Sequence, residues 1–163
     1  MFKSNITHSD ILPEVKVFEP KPFHDYRGEM WTFWESIYDT PKEKISKFTR
    51  SRKDVLRGLH GDDDSWKLMS CVYGEVYFVV VNPEKTHWDW TILSNKNKKQ
   101  VLVPPKYTNG IYVLSDECVL HYKYSYPNEY QDIEKQYVVK WDDKDLNIHW
   151  PIEEPILQQR DRS

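Results

Sequence analysis

The segment 55–62, V-L-R-G-L-H-G-D, holds the residues best suited to chemistry in this chain. Side chains of an extended strand point alternately to opposite faces, which predicts Gly58 and His60 on one face and Arg57 on the other. Gly58 leaves space beside His60, and the polar residues that follow put this imidazole at a strand end. His60 therefore either projects into a cavity, where an imidazole can move protons near neutral pH, or is a structural histidine hydrogen-bonded at the strand end.

A second segment, 119–124 or V-L-H-Y-K-Y, alternates in the same way. Strand geometry predicts Leu120, Tyr122 and Tyr124 on one face, with His121 and Lys123 on the other. A tyrosine hydroxyl that faces a cavity can act as a general acid. In a chain with 11 tyrosines, the alternative is a core residue with its hydroxyl at the rim.

The motifs of several common enzyme classes are missing. The sequence contains no G-x-x-x-x-G-K-[ST], no G-x-G-x-x-G, no G-x-S-x-G and no H-E-x-x-H. This argues against P-loop, dinucleotide-binding, α/β-hydrolase and zincin enzymes. The six histidines include no pair at a strand spacing of two or a helical spacing of three or four, so we expect no bound metal.

Short runs with β character must position these side chains, and ten of them in one chain predict a β-sandwich or barrel. The dipeptide Asn109-Gly110 between two runs is typical of a hairpin turn. Only 36–47 has some helical character, and Pro41 limits it to one short helix. The predicted strands are 15–18, 30–34, 55–59, 67–72, 75–81, 88–93, 100–103, 111–114, 119–124 and 136–139. The run 75–81 is apolar on both faces, which predicts burial on both sides or a subunit contact.

Composition and charge limit the classes of partner. The absence of alanine and the 15% aromatic content favour strands over helices. A net charge of -3 provides no basic field for general nucleic-acid binding, so any anionic ligand must be bound by local Arg and Lys. No run approaches the roughly 20 apolar residues that span a membrane. The acidic runs 62–64 and 142–145 are predicted to be solvated turns.

Cys71 and Cys118 lie in apolar stretches and form no C-x-x-C pair, and no signal segment is evident at the N-terminus. We therefore expect a cytoplasmic protein with two buried free thiols rather than a disulfide.

Motifs in a consistent order along residues 15–161 resemble those of the dTDP-4-dehydrorhamnose 3,5-epimerase family. The most specific is V-L-R-G-L-H at 55–60, followed by K-L at 67–68 and G-E-V at 74–76. The further motifs are Phe23, Asp25, R-G-E at 27–29, P-P at 104–105, V-L-S at 113–115, Y-K at 122–123, W-D-D at 141–143 and the stretch 148–151.

The resemblance implies an all-β, cupin-type double-stranded β-helix (jelly roll) with one or two short peripheral helices, as one domain over 1–163. It implies an isomerase that inverts C3, C5 or both of a nucleotide-diphosphate-linked 4-keto sugar, a 6-deoxyhexose or a heptose. The biosynthesis of deoxysugars or surface polysaccharides is the implied setting. It also implies a homodimer that works without cofactor or metal, and with neither nucleic acid nor membrane as a partner.

The same resemblance assigns four catalytic residues. His60, the histidine of R-G-L-H, is the general base, and Asp161 is the carboxylate that pairs with it. Tyr122, the tyrosine of Y-K, is the acid on the opposite face of the sugar. Lys67 lies near the C4 carbonyl, where its ammonium stabilises the enolate oxygen that forms when a proton leaves C3 or C5.

Six further residues are predicted to bind the substrate: Phe23, Arg27, Glu29, Lys47, Arg57 and Asn109. Arg27 and Arg57 suit the diphosphate, because guanidinium groups make paired hydrogen bonds to phosphate oxygens. Lys47 and Arg50 are further candidates for the diphosphate. Phe23 and Trp31 are candidates for an aromatic face against the nucleotide base.

The chain departs from the family pattern at two points. It has H-G-D at 60–62 where the family commonly has H-Y-Q, and Asn109 where the family has a second histidine. An amide can form hydrogen bonds but cannot supply a proton as an imidazolium does. The nucleotide and the number of inverted carbons therefore stay open, and the combination with C-V-Y-G-E-V at 71–76 resembles relatives that act on GDP-linked 4-keto heptoses.

Two other functions stay open for the same scaffold. One is a ketoisomerase that moves the carbonyl between C3 and C4, and the other is a non-catalytic jelly roll that binds a sugar. The retained set of His60, Lys67, Tyr122 and Asp161 favours an epimerase.

Overall fold

A computed structural model of the protein describes residues 4–34, 40–130 and 133–162, and nearly all regular structure in these ranges is β. The strands are β1 (Asn5–His8), β2 (Lys16–Glu19), β3 (Phe23–Asp25), β4 (Gly28–Met30), β5 (Glu43–Arg52), β6 (Leu56–Gly61), β7 (Trp66–Tyr73), β8 (Glu75–Val81), β9 (Trp88–Ser94), β10 (Gln100–Val103), β11 (Thr108–Val113), β12 (Glu117–Ser125) and β13 (Tyr137–Val138). The helical elements of the described ranges are two 3₁₀ turns, Ile133–Lys135 and Gln159–Arg162, and no helix there has the length and apolar character to cross a membrane.

Two antiparallel sheets face each other. One has the strand order β1-β2-β10-β7-β12-β5 and the other the order β13-β6-β11-β8-β9, while β3 and β4 form a separate hairpin. From β5 to β12 the chain crosses repeatedly between the sheets. Buried side chains from both sheets, such as Met69 on β7 and Phe78 on β8, meet in one apolar cluster. The predicted all-β jelly roll is therefore confirmed.

Strand β8 is buried on both faces within one copy of the chain. Phe78 and Val80 pack between the sheets, whereas Val79 and Val81 pack on the outer side against C-terminal residues such as Leu146. The first of the two predictions for this strand is confirmed, because the C-terminal segment covers the outer face.

The predicted helix over 36–47 is wrong where it can be compared. Residues 36–39 lie outside the described ranges, and Glu43 to Lys47 belong to β5, which pairs along its length with β12. Strand β5 has few apolar residues, because its inward side chains, Lys47 and Thr49 among them, face a cavity rather than the core. The hydrophobic alternation that marks a half-buried strand is therefore missing from this segment.

The predicted strand over 30–34 is also wrong. Strand β4 ends at Met30, and Phe33 and Trp34 continue as irregular chain. These two rings pack with Phe18 and Leu68 on the outer face of the six-stranded sheet. Their aromatic character therefore reflects burial against a sheet and not membership of a strand.

Both cysteines are buried free thiols, as predicted. Burial raises the pKa of Cys71 to about 12 and that of Cys118 to about 11. Thiolate is the reactive form of cysteine, so these side chains act as small apolar groups of the core.

Candidate active site

A cavity of about 300 Å³ lies between the two large sheets. Six residues predicted for the site line it: Lys47, Arg57, His60, Lys67, Asn109 and Tyr122. They come from five strands, β5, β6, β7, β11 and β12, which are neighbours only in the folded sheets. Met69, Ile111 and Leu120 add apolar surface. The cavity therefore combines polar groups from both sheets with a partly apolar wall.

His60 and Asp161 form a hydrogen-bonded pair in the wall of the cavity. His60 Nε2 lies 2.5 Å from Asp161 Oδ1, and the Asp161 side chain is fully buried while 19% of the His60 side chain is exposed. Burial by itself raises the pKa of Asp161, but hydrogen bonds from His60, the Gly58 N–H and the Gln158 amide outweigh it and hold the pKa below its usual value. An ionised carboxylate only accepts hydrogen bonds, so Nε2 carries a proton, and in the neutral form of the imidazole the lone pair is on Nδ1.

A β-bulge in β6 turns Arg57 and His60 to the same cavity. Three residue steps along β6 oppose two along β11, so β6 carries one extra residue between these two side chains. Gly58 lies at this point with a φ of +123°, and a Cβ there would be 2.5 Å from Gly110 Cα. The predicted placement of Arg57 and His60 on opposite faces is therefore wrong, because the bulge breaks the alternation.

Lys67 projects into the cavity from a nearly dry position, with 6% of its side chain exposed. Its Nζ donates to the His60 carbonyl at 3.2 Å and to Asn109 Oδ1 at 3.5 Å. Burial lowers the pKa of Lys67 to about 8; Asp62 opposes this shift and the Arg160 cation adds to it. The group is therefore mainly an ammonium at neutral pH, in surroundings that exclude water.

The prediction of a solvated acidic turn is wrong for Asp62, of which only 2% is exposed. Its Oδ1 accepts hydrogen bonds from the N–H groups of Asp64 at 3.0 Å and Ser65 at 2.6 Å. Its Oδ2 lies 4.0 Å from Lys67 Nζ. Asp62 is therefore both the residue that fixes its own turn and the anion that faces the buried lysine.

The predicted alternation of β12 is confirmed. Leu120, Tyr122 and Tyr124 line the cavity. His121 and Lys123 lie on the other face, where the Phe33 ring is in contact with the imidazole. Tyr122 thus reaches the cavity from the six-stranded sheet, whereas His60 reaches it from the five-stranded sheet.

The cavity wall is rich in cations. Arg57 Nε donates to Ser51 Oγ at 2.8 Å, and Lys47 Nζ donates to the Tyr130 hydroxyl at 3.1 Å. Arg160, which sequence reasoning missed, also lines the cavity. With Lys67, these side chains create a positive field that suits an anionic ligand.

Three predicted binding residues lie elsewhere. Phe23, Arg27 and Glu29 belong to the β3–β4 hairpin and line a separate surface pocket of about 290 Å³. Arg27 pairs there with Asp25 at 2.5 Å. Arg50 does not line the cavity either, because it points outwards and pairs with Glu117 at 2.7 Å.

Several cavity residues were not predicted from the sequence: Thr49, Tyr124, Tyr130, Gln136, Gln158 and Arg160. A signal existed for three of them. Thr49 shares a strand face with Lys47, Tyr124 shares one with Tyr122, and Arg160 directly precedes Asp161. Tyr130, Gln136 and Gln158 follow the last long strand, so their places in the cavity wall depend on the tertiary structure.

This geometry can support proton transfer on a carbon acid. His60, which is oriented by Asp161, enters the cavity from one sheet, and the Tyr122 hydroxyl enters it from the opposing sheet. The buried ammonium of Lys67 lies on the same sheet as Tyr122. A proton can therefore leave one face of a bound ring and arrive at the other, while the ammonium stabilises negative charge on oxygen.

Comparison with known proteins gives a consistent result. The family model described as dTDP-4-dehydrorhamnose 3,5-epimerase matches residues 10–163. The dTDP-4-dehydrorhamnose 3,5-epimerase of Shigella flexneri is 35% identical over 92% of this chain and 89% of its own length. A dTDP-4-dehydrorhamnose 3-epimerase of Streptomyces niveus is 32% identical over 94% of this chain and 76% of its own. Among solved structures, the epimerase of Legionella pneumophila in complex with dTDP-4-keto-L-rhamnose has a TM-score of 0.88 and 32% identity, covering 98% of this chain and 90% of that one.

Proposed function

The chain belongs to the dTDP-4-dehydrorhamnose 3,5-epimerase family, and we propose that His60, Asp161, Lys67 and Tyr122 carry out the family's reaction in the cavity between the sheets. The protein is accordingly an isomerase that inverts C3, C5 or both of a nucleotide-linked 4-keto sugar. One observation carries the assignment of residues: His60 and Tyr122 face the same cavity from opposing sheets.

His60 is the general base in this proposal. Hydrogen at C3 or C5 is acidic because the C4 carbonyl can take up the charge as an enolate. Neutral His60 removes the proton through Nδ1, since Nε2 is committed to Asp161 at 2.5 Å. The buried carboxylate then stabilises the imidazolium that forms.

Lys67 stabilises the enolate oxygen. An ammonium that is 6% exposed interacts strongly with a developing anion, because little water screens it. Asn109, which accepts a hydrogen bond from Lys67 at 3.5 Å, holds the ammonium towards the cavity. The amide at this position thereby aids the lysine, although it cannot itself deliver a proton.

Tyr122 delivers the new proton. A base that only returns its own proton restores the starting configuration, so inversion needs a donor on the other face of the ring. The phenol enters from the six-stranded sheet, opposite the sheet that carries His60. This placement favours an epimerase over a non-catalytic sugar-binding module.

The nucleotide diphosphate is bound by the cations that line the cavity. Arg57 and Lys47 are the predicted contacts, and Arg160 joins them from the C-terminal turn. Guanidinium groups suit paired hydrogen bonds to phosphate oxygens. The chain's net charge of -3 gives no general attraction to an anion, so this local field must provide it.

We propose a homodimer as the working unit. The β3–β4 hairpin holds Phe23, Arg27 and Glu29 outside the cavity of its own chain, and it leaves 45% of Phe23 and 56% of Met30 exposed. A hairpin with exposed apolar side chains beside an arginine fits the surface of a second copy, whose cavity it can complete. Sedimentation tests the dimer. Mixing Arg27→Ala with His60→Asn protein tests the hairpin: activity should return in mixed dimers, and an inactive mixture contradicts its role.

Deuterium exchange tests the proposed function. The protein is incubated in deuterium oxide with dTDP-linked and GDP-linked 4-keto 6-deoxyhexoses and heptoses, and NMR follows deuterium at C3 and C5 and the configuration of the product. We expect exchange and inversion with at least one substrate, and no exchange with His60→Asn. A ketone found at C3 indicates a ketoisomerase instead, and binding without exchange by the unaltered protein indicates a sugar-binding module.

A further inference from the structure

The hydroxyl of Thr49 lies against the phenol of Tyr122. Thr49 is not among the residues proposed for the reaction. Thr49 is on β5, half-buried, with its side chain in the cavity wall. Its Oγ1 and the Tyr122 hydroxyl are hydrogen-bonded to each other. Within residues 4–34, 40–130 and 133–162, the structure shows this threonine as the hydrogen-bond partner of the phenol oxygen.

The strand register produces this contact. Tyr122 is paired with Lys47 and Leu120 with Thr49, so the threonine lies diagonally across from the tyrosine on the cavity face. Long side chains on neighbouring strands reach such diagonal positions. The Tyr124 ring touches the Tyr122 ring edge-on, with the ring centres 5.5 Å apart. The phenol is therefore fixed at its ring by packing and at its oxygen by one hydroxyl.

We propose that Thr49 is a positioning residue for Tyr122, which orients the phenol for proton delivery and then donates a hydrogen bond to the phenolate. This inference rests on the proposed function, in which Tyr122 is the acid. A threonine hydroxyl is both donor and acceptor. While the phenol is protonated, the Thr49 hydroxyl donates to the phenol oxygen, which leaves the phenol hydrogen free to point at the ring carbon. Once that proton has moved to carbon, the same hydroxyl donates to the oxyanion that remains.

The chemistry explains why a hydroxyl is needed at this point. Proton delivery leaves a negative charge on Tyr122, which lies in a partly apolar cavity. A hydrogen bond to a charged oxygen is stronger than one to a neutral hydroxyl, so the interaction gains strength as the proton leaves. It therefore favours the delivery step and not substrate binding. Removal of the proton by His60, on the other side of the ring, does not depend on it.

Two substitutions separate the hydroxyl from the shape of the side chain. Thr49→Val keeps the branched shape and loses the hydroxyl, whereas Thr49→Ser keeps the hydroxyl and loses the methyl group. Thr49→Ala is a second hydroxyl-free variant, to be used if the valine variant does not fold. Thermal unfolding checks that each variant is folded.

The assay follows two rates on one sample in deuterium oxide, with the dTDP-linked and GDP-linked 4-keto 6-deoxyhexoses and heptoses in parallel. The first rate is deuterium entry at C3 and C5 and the second is formation of the inverted sugar. For Thr49→Val we expect inversion to fall about 10- to 100-fold while exchange changes less than about threefold. For Thr49→Ser we expect both rates within about threefold of the unaltered protein.

Three outcomes overturn the inference. Inversion by Thr49→Val at the unaltered rate shows that the hydroxyl is not needed. An equal loss of exchange and inversion in the valine and serine variants shows a structural effect of the side chain. Absence of exchange in the unaltered protein contradicts the proposed function and therefore this inference as well. The first two outcomes, by contrast, are seen in the Thr49 variants while the unaltered protein is active, so they contradict only the role of Thr49.

Discussion

The ammonium of Lys67 should set the upper pH limit of activity. Its pKa is lowered to about 8, chiefly by burial, so the free enzyme loses this charge as the pH rises through that value. If the ammonium stabilises the enolate oxygen, kcat/KM for deuterium exchange falls about tenfold per pH unit above the pKa. At pH 10 it should be about 100-fold below its plateau. Bound substrate diphosphate attracts the proton, so kcat should decline at a higher pH than kcat/KM.

The lowered pKa of Lys67 also affects stability: the contribution of this lysine to the free energy of unfolding rises over the pH range in which activity falls. Between pH 8 and 10.5 the unfolded state holds a lysine proton that the folded state has released, so the contribution of Lys67 to stability rises with pH. The buried thiols of Cys71 and Cys118, whose pKa values are raised, contribute in the opposite sense, so the lysine contribution is measured as a difference from Lys67→Met. A shift from 10.5 to about 8 corresponds to about 3 kcal/mol. Urea unfolding at pH 8 and pH 9.5, in the unaltered protein and in Lys67→Met, samples about half of this change, about 1.6 kcal/mol. The slope with pH should be smaller for Lys67→Met, which has no titrating group at this position.

Variants identify the residue responsible for the activity limit. Lys67→Arg keeps its charge up to pH 12 and beyond, so its activity is lower at neutral pH but lacks the decline above pH 8. Asp62→Asn removes the anion that raises the lysine's pKa, so the decline should begin at a lower pH. Lys99→Arg, on the outer surface, is the matched control. A kcat/KM that stays flat to pH 10, or an unchanged decline in Lys67→Arg, refutes the reasoning.

Four substitutions test the carboxylate beside the base, the bulge in β6 and the core, with Gly28→Ala as the matched control for Gly58→Ala. Asp161→Asn should lower exchange about 10- to 200-fold, because the charge-assisted bond to His60 in the transition state is worth about 1.5–3 kcal/mol; exchange at the unaltered rate contradicts the pairing. Gly58→Ala should destabilise the fold by about 3 kcal/mol or more in urea unfolding, since its Cβ would lie 2.5 Å from the facing backbone. Gly28→Ala, with a similar φ of +130° but nothing within 4 Å, should cost less, and equal losses refute the role of close approach. Leu59→Ala should cost about 2–5 kcal/mol, because this fully buried side chain leaves a cavity; a loss under about 1 kcal/mol shows that the core relaxes.

Much of the fold could be predicted from local sequence. Strands such as β8 and β10 begin and end where the apolar runs do, because burial of one strand face or both requires apolar side chains at those positions. The same reasoning fails for β5. Its inward face lines the cavity with polar side chains such as Lys47 and Thr49, so the apolar alternation that marks a half-buried strand is absent.

The candidate site also has a part that the sequence predicted and a part that it did not. Sequence motifs were sufficient to name His60, Lys67, Tyr122 and Asp161 as a set, because these residue types match the chemistry of a family the chain resembles. The sequence did not show that Arg57 shares the cavity with His60. That depends on a bulge, which arises from the pairing of β6 with β11. Gly58 permits the bulge, but a glycine within a strand does not by itself specify one.

By itself, then, the sequence determined the β class and the burial of the main strands, since both depend on local composition and order. The residues proposed for the reaction were indicated by motifs that resemble those of a known family. Only the tertiary structure decided which polar groups face one another. Thr49 became the partner of Tyr122 through strand register, and Asp62 became the buried partner of Lys67 through the turn between β6 and β7. The β3–β4 hairpin stayed outside the cavity. Contacts between distant segments are set by how whole sheets pack, and no single stretch of chain encodes that packing.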